Sequence, residues 1–195
     1  MTRNRLEAFS DGVIAIILTI MVLELRPPEG ASLAELGHLG PHLLFYLLSF
    51  TIVAIYWNNH HHMLHAVDRV DGRVLWANMH LLFWLSLIPF VTAWMGRQHA
   101  APVTVAAYSF VCFAAGIAYY LLARALLALH GTESRLAKAL GADWKGKGSV
   151  VAYLAALALA LPARWIALGI HVAVALLWLL PDRRIEKAMA SHREH

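Results

Sequence analysis

From Val74 to Met95, and again from Val103 to Ala123, the chain carries no Asp, Glu, Lys or Arg. Runs of this length match the ~20 residues that an α-helix needs to cross the ~30 Å hydrocarbon core of a bilayer. A soluble 195-residue domain lacks the surface to accommodate 60% hydrophobic residues against 14% charged, at a mean hydropathy of +0.60. The pattern predicts an all-α integral membrane protein, a single domain over 1–195, with six spans at about 6–25, 42–63, 74–95, 103–129, 149–161 and 164–181.

Breakers divide the spans. Pro27-Pro28 ends the first, Gly40-Pro41 opens the second, and the charged link Asp68 to Arg73 precedes the third. The third contains Pro89, a tolerated kink in a membrane helix, and has Trp76, Trp84 and Trp94 as interfacial anchors. Gly96 to Pro102 is a short turn. In the fourth span Ala106, Ala107, Ala114, Ala115, Gly116 and Ala118 make a small face that lets helices approach closely. The apolar block from Ser149 to Leu180 is broken by Pro162-Ala163-Arg164-Trp165. As one helix it would overshoot the bilayer and bury Arg164, so two short helices are expected.

Charge sets the orientation. Thirteen of the 16 Lys and Arg fall in the amino-terminal tail, alternate links with Arg124 at the adjoining end of the fourth span, and the carboxy-terminal segment; Arg26, Arg97 and Arg164 make up the other set. The positive-inside rule then places both termini in the cytoplasm of a multi-pass protein of the inner (plasma) membrane. The net charge of +4 is juxtamembrane bias, and no soluble basic domain is present to bind nucleic acid. Arg3 and Arg5 resemble a signal-peptide n-region, but Asp11 and Glu24 interrupt the apolar run and no small-x-small cleavage site follows, so the first helix is expected to persist. Cys112 is the one cysteine, which excludes an intrachain disulfide.

The first helix is the unusual one. Between Asp11 and Glu24 lie twelve uncharged residues, which at 1.5 Å each is about 18 Å, too short to keep both carboxylates out of lipid. Intramembrane ionisable groups are tolerable where they face protein or a water-filled cavity, which makes this an inner helix. On a wheel of about 100° per residue Ile16, Ile20 and Leu23 fall within roughly 60°, with Gly12 and Phe9 below and Thr19 at the edge, while Asp11 points about 140° away. Such a stripe is equally what ordinary helix packing produces.

Polar residues elsewhere offer fewer readings. His60, His61, His62 and His65 close the second span, and His61 and His65 have the i, i+4 spacing of a helical metal pair. A transition-metal site or a pH-responsive cluster are alternatives there; hydrogen bonding toward Ser10 and Asp11 is the reading adopted, and no metal or cofactor is assigned. His42, His80 and His171 lack a paired pattern for haem. The chain has no nucleophile elbow, P-loop, zinc-protease helix or dinucleotide fingerprint, and Ser10-Asp11 in sequence cannot build a triad, so no enzyme is expected. The Thr-Val-Gly-Tyr-Gly filter of ordinary potassium channels is also absent.

Arg5-x-x-x-Phe9-Ser10-Asp11-Gly12, together with Tyr56-Trp57-x-x-His60 and the two short final helices, resembles the transmembrane protein 175 family of lysosomal potassium channels, in its bacterial, single-repeat form. That resemblance implies a homotetramer whose pore is lined by four copies of the first helix. The family's hydrophobic constriction then maps onto Ile16, Ile20 and Leu23, and Thr19 onto a polar position associated with ion preference. Arg5, Phe9, Ser10, Asp11, Trp57 and His60 would form the network supporting the pore helix. The expected function is a K⁺-preferring channel for monovalent cations, with K⁺ as permeant ion and lipid as surroundings. A proton channel of the same architecture, a metal- or haem-binding membrane protein, and a transporter are the alternatives. A transporter would need broken helices and a polar midplane site, whereas the first helix is aliphatic there.

Overall fold

A computed structural model describes residues 2–28, 30, 32, 33, 37, 39–131, 133–141 and 143–179. The carboxy-terminal limit expected for the last span, at 181, and the basic residues Arg183, Arg184, Lys187 and Arg193 lie outside the described residues. The structure is all-helical: α1 (Arg3–Leu23), α2 (Gly40–His65), α3 (Gly72–Ser86), α4 (Ile88–Arg97), α5 (Pro102–His130), α6 (Arg135–Leu140), α7 (Trp144–Leu159) and α8 (Arg164–Leu179).

Length and apolar character qualify four segments as membrane spans: α1, α2, α3 with α4 taken together, and α5. At 16 residues each, α7 and α8 reach only about 24 Å, and they pair with each other through the turn at Ala160–Ala163. The third segment is divided at Leu87, two residues before Pro89, which has no N–H to give to the preceding turn. Leu87 stays in right-handed helical geometry and Val91 N–H still reaches its carbonyl at 3.1 Å, so the chain bends there without leaving the helix path. In the polar link, α6 is a short helix that the sequence pattern did not indicate.

Local chemistry accounts for the boundaries. Asp71 caps α3 by accepting from Val74 N–H at 2.9 Å, and Ser134 caps α6 through Ala137 N–H at 3.2 Å. Proline occupies the first turn of α2, α4 and α5, where its missing N–H costs nothing. Gly131 closes α5 at a φ of +82°, a conformation that suits glycine. Asp143 caps α7 through Gly146 N–H at 3.2 Å. Burial raises its carboxyl above the usual carboxylate range, although the Gly146 amide and the Lys147 charge pull the other way.

α5 is the hub, packed on α3, α4, α7 and α8. Its small residues Ala114, Ala115, Gly116 and Ala118 are buried, and a Cβ at Gly116 would come within 3.1 Å of Val150 Cγ2 on α7. Buried polar side chains link the helices at depth. The Ser49 and Tyr108 hydroxyls lie 3.0 Å apart, Thr92 donates to Ser49 at 2.7 Å, and Ser109 meets His171 Nε2 at 2.9 Å. α1 stands at the edge of this assembly, against α2, α3 and α4.

Candidate functional site: the first helix and its anchors

Two faces of α1 have opposite fates. Leu6, Ser10, Ile14, Ile17 and Met21, spaced three and four residues apart, are buried against the rest of the chain. On the other side Phe9, Gly12, Ile16, Thr19, Ile20 and Leu23 form a continuous open strip. Ile16 is 59% exposed, Ile20 43% and Leu23 78%. The stripe picked out on the helical wheel is therefore the one that the chain does not cover with its own residues. Thr19 donates its hydroxyl to the Ile16 carbonyl at 2.8 Å, which leaves its oxygen lone pairs facing outward.

Beneath the strip, polar groups bind α1 to its neighbours. Trp57 Nε1 on α2 donates to Asp11 Oδ1 at 2.9 Å. Ser10, fully buried, donates to the Leu6 carbonyl at 2.8 Å and accepts from Asn78 Nδ2 on α3 at 3.0 Å; Asn78 Oδ1 in turn lies 2.7 Å from His60 Nε2 on α2. Only one assignment satisfies all three hydrogen bonds: His60 Nε2–H donates to Asn78, Asn78 to Ser10, and Ser10 to Leu6, a one-way chain through three helices. At the far end of α1, Glu24 pairs with Arg97 of α4.

Ser10, Asp11, Trp57 and His60 come together at the α1–α2–α3 junction, with Asn78 between Ser10 and His60. Phe9, 46% exposed, lies on the open strip and apart from these hydrogen bonds. Arg5 is exposed, and among the described residues its guanidinium has no hydrogen-bond partner within the chain. Sequence reasoning missed Asn78, for which the signal was an amide inside an otherwise apolar, uncharged run. It also missed Glu7, whose Oε1 lies 3.1 Å from His61 Nδ1 and 3.0 Å from His65 Nδ1.

Comparison with known proteins places the chain among relatives. Residues 5–89 match the model of the family described as the endosomal/lysosomal potassium channel TMEM175. A potassium channel of Chryseobacterium sp. (strain P1-3) is 48% identical over 97% of this chain and 98% of its own length. The crystal structure of a lysosomal potassium-selective channel TMEM175 homolog from Chamaesiphon minutus superposes with a TM-score of 0.79 at 29% identity, covering 91% of this chain and 96% of that one. The endosomal/lysosomal proton channel TMEM175 of Bos taurus is 37% identical over 31% of this chain and 15% of its own length.

Proposed function

Because the chain belongs to the TMEM175 family of ion channels, and is thus a multi-pass membrane protein with an ion pathway and not an enzyme, we propose that it is a K⁺-preferring cation channel assembled as a homotetramer. Four copies of α1 line the pore in this reading, and six segments per chain cross the membrane, with α7 and α8 as the short fifth and sixth. Both termini lie in the cytoplasm, as the Lys and Arg distribution favours.

One observation carries the proposal. An aliphatic strip runs the length of α1 and stays open although the opposite face is buried and pinned by Ser10 and Asp11. A helix held so firmly from behind presents its front to something outside the chain. Around a four-fold axis, the fronts become successive rings of Ile16, Ile20 and Leu23. Apolar rings narrow enough to exclude water close a pore by dewetting, and a rotation or widening of α1 admits a partly hydrated cation. K⁺ is larger than Na⁺ and gives up water at lower cost, so a modest K⁺ preference follows, and the outward lone pairs of Thr19 offer partial replacement for the lost water.

The experiment is cation flux through purified protein in liposomes under K⁺ or Na⁺ gradients, with Ile16→Asn beside the parent. Flux in the parent should favour K⁺, and Ile16→Asn should raise it or erode the preference. Absence of flux for both ions in both proteins would sink the channel reading. Proton conduction is the second reading, supported by the similarity to the endosomal/lysosomal proton channel TMEM175 of Bos taurus. A pH-sensitive dye inside the same liposomes reports it directly.

A further inference from the structure

We propose that Glu7, His61 and His65 form a binding site for a first-row divalent cation of the Zn²⁺ type, clamping the start of α1 to the end of α2. Within the histidine patch His61 and His65 are two donors one helical turn apart. The fold supplies the third from another helix. One oxygen of Glu7 lies 3.1 Å from His61 Nδ1 and 3.0 Å from His65 Nδ1, the three ligand atoms all fall within 4.8 Å of one another, and the two imidazole rings are 4.1 Å apart between centroids.

Tetrahedral Zn²⁺ holds nitrogen and oxygen donors at about 2.0–2.1 Å, which sets neighbouring donors about 3.3 Å apart. The two Glu7–histidine spacings are within a few tenths of an ångström of that edge, and the two histidine donors lie no more than 4.8 Å apart. Two imidazoles and a carboxylate, with a fourth position left to water, is a donor set suited to Zn²⁺, Ni²⁺ or Cu²⁺ and poor for Mg²⁺ or Ca²⁺. The surroundings fit as well. The Glu7 side chain is only 12% exposed, and among the described residues His61 and His65 are its only ion-pair partners. Arg3, one turn earlier on α1, is committed to Asn4 and to the Val67 carbonyl. His61 is further steadied by stacking on Trp57, at 5.7 Å and 25°.

Glu7 lies roughly opposite Ile16 around α1, so an ion held there lies away from the open strip and acts on the helix pair. This inference stands whether or not α1 lines a pore, because its test reads binding.

Tag-free, full-length protein in detergent is dialysed against Zn²⁺, the bound metal is counted per chain, and thermal unfolding is followed with and without the ion. One Zn²⁺ per chain and a raised unfolding midpoint, reversed by chelator, are expected. Co²⁺ in its place should give the visible absorption of a four-coordinate ion. His61→Gln with His65→Gln should abolish both signals, and Glu7→Gln should weaken binding by more than the about 10- to 100-fold that loss of a merely supporting partner costs. His62→Gln, which alters a neighbouring histidine outside the donor set, should bind like the parent. All four altered positions are at least partly exposed, and unfolding of the metal-free variants checks that they fold. Equal binding by parent and double variant, or unchanged affinity in Glu7→Gln, would overturn the site and leave a carboxylate that accepts two imidazole N–H groups.

Discussion

Asn78 holds the most consequential position among single residues. Its amide joins His60 to Ser10 inside the protein, and an apolar replacement leaves both partners with unmet hydrogen bonds. Such losses cost about 1–3 kcal/mol for each stranded group. Asn78→Ala should therefore lower the unfolding midpoint in detergent more than Trp57→Phe, whose bond to Asp11 sits at a residue 41% exposed and open to other partners. The reverse ranking would mean that the Ser10 chain is not what pins α1. At this scale the sequence drew attention to Ser10, Asp11, Trp57 and His60, because the resemblance to a family motif marked them. Asn78 and Glu7 carried no such mark. Their importance comes from which helix each faces across a contact, and a residue-by-residue pattern on one helix does not encode its neighbour.

Among the elements, α5 shows how a small side chain becomes structural. The alanine and glycine face was readable as a close-packing surface, and at Gly116 little room is left, with Val150 Cγ2 3.1 Å from an added Cβ. Gly116→Leu should separate α5 from α7 and destabilise the protein by about 1–3 kcal/mol, the usual penalty for overpacking. Gly116→Ala sets a gain in helix propensity of up to about 1 kcal/mol against a small displacement of Val150, and should stay close to the parent in the same unfolding assay. Helix positions along the chain followed from apolar runs and breakers, since hydropathy and proline act locally. The short α6 did not, because a six-residue helix has less than two turns in which to show periodicity. Nor did the choice of α5 as hub, which depends on the order of packing in space.

At the scale of the whole molecule the tetramer proposed here makes a geometric claim: Leu23, 78% exposed at the end of α1, should approach its counterparts around an axis. Leu23→Cys in a Cys112→Ala background should give oxidised, disulfide-linked pairs of chains in membranes, whereas Ile17→Cys, on the buried face, should not. Equal cross-linking at the two positions would argue against α1 at the axis. Water and lipid also judge the open strip of α1 differently. A soluble protein is driven to hide such a strip, but hydrocarbon receives isoleucine and leucine as readily as another helix does, so burial of the strip supplies little force for bringing chains together. Assembly must then be specified by other surfaces, and the residues that would set permeation are released from any duty in holding the complex. If α1 lines the pore as proposed, substitutions at Ile16 or Ile20 should retune conduction while subunit number stays the same, and ion preference would be free to diverge between chains that share one architecture.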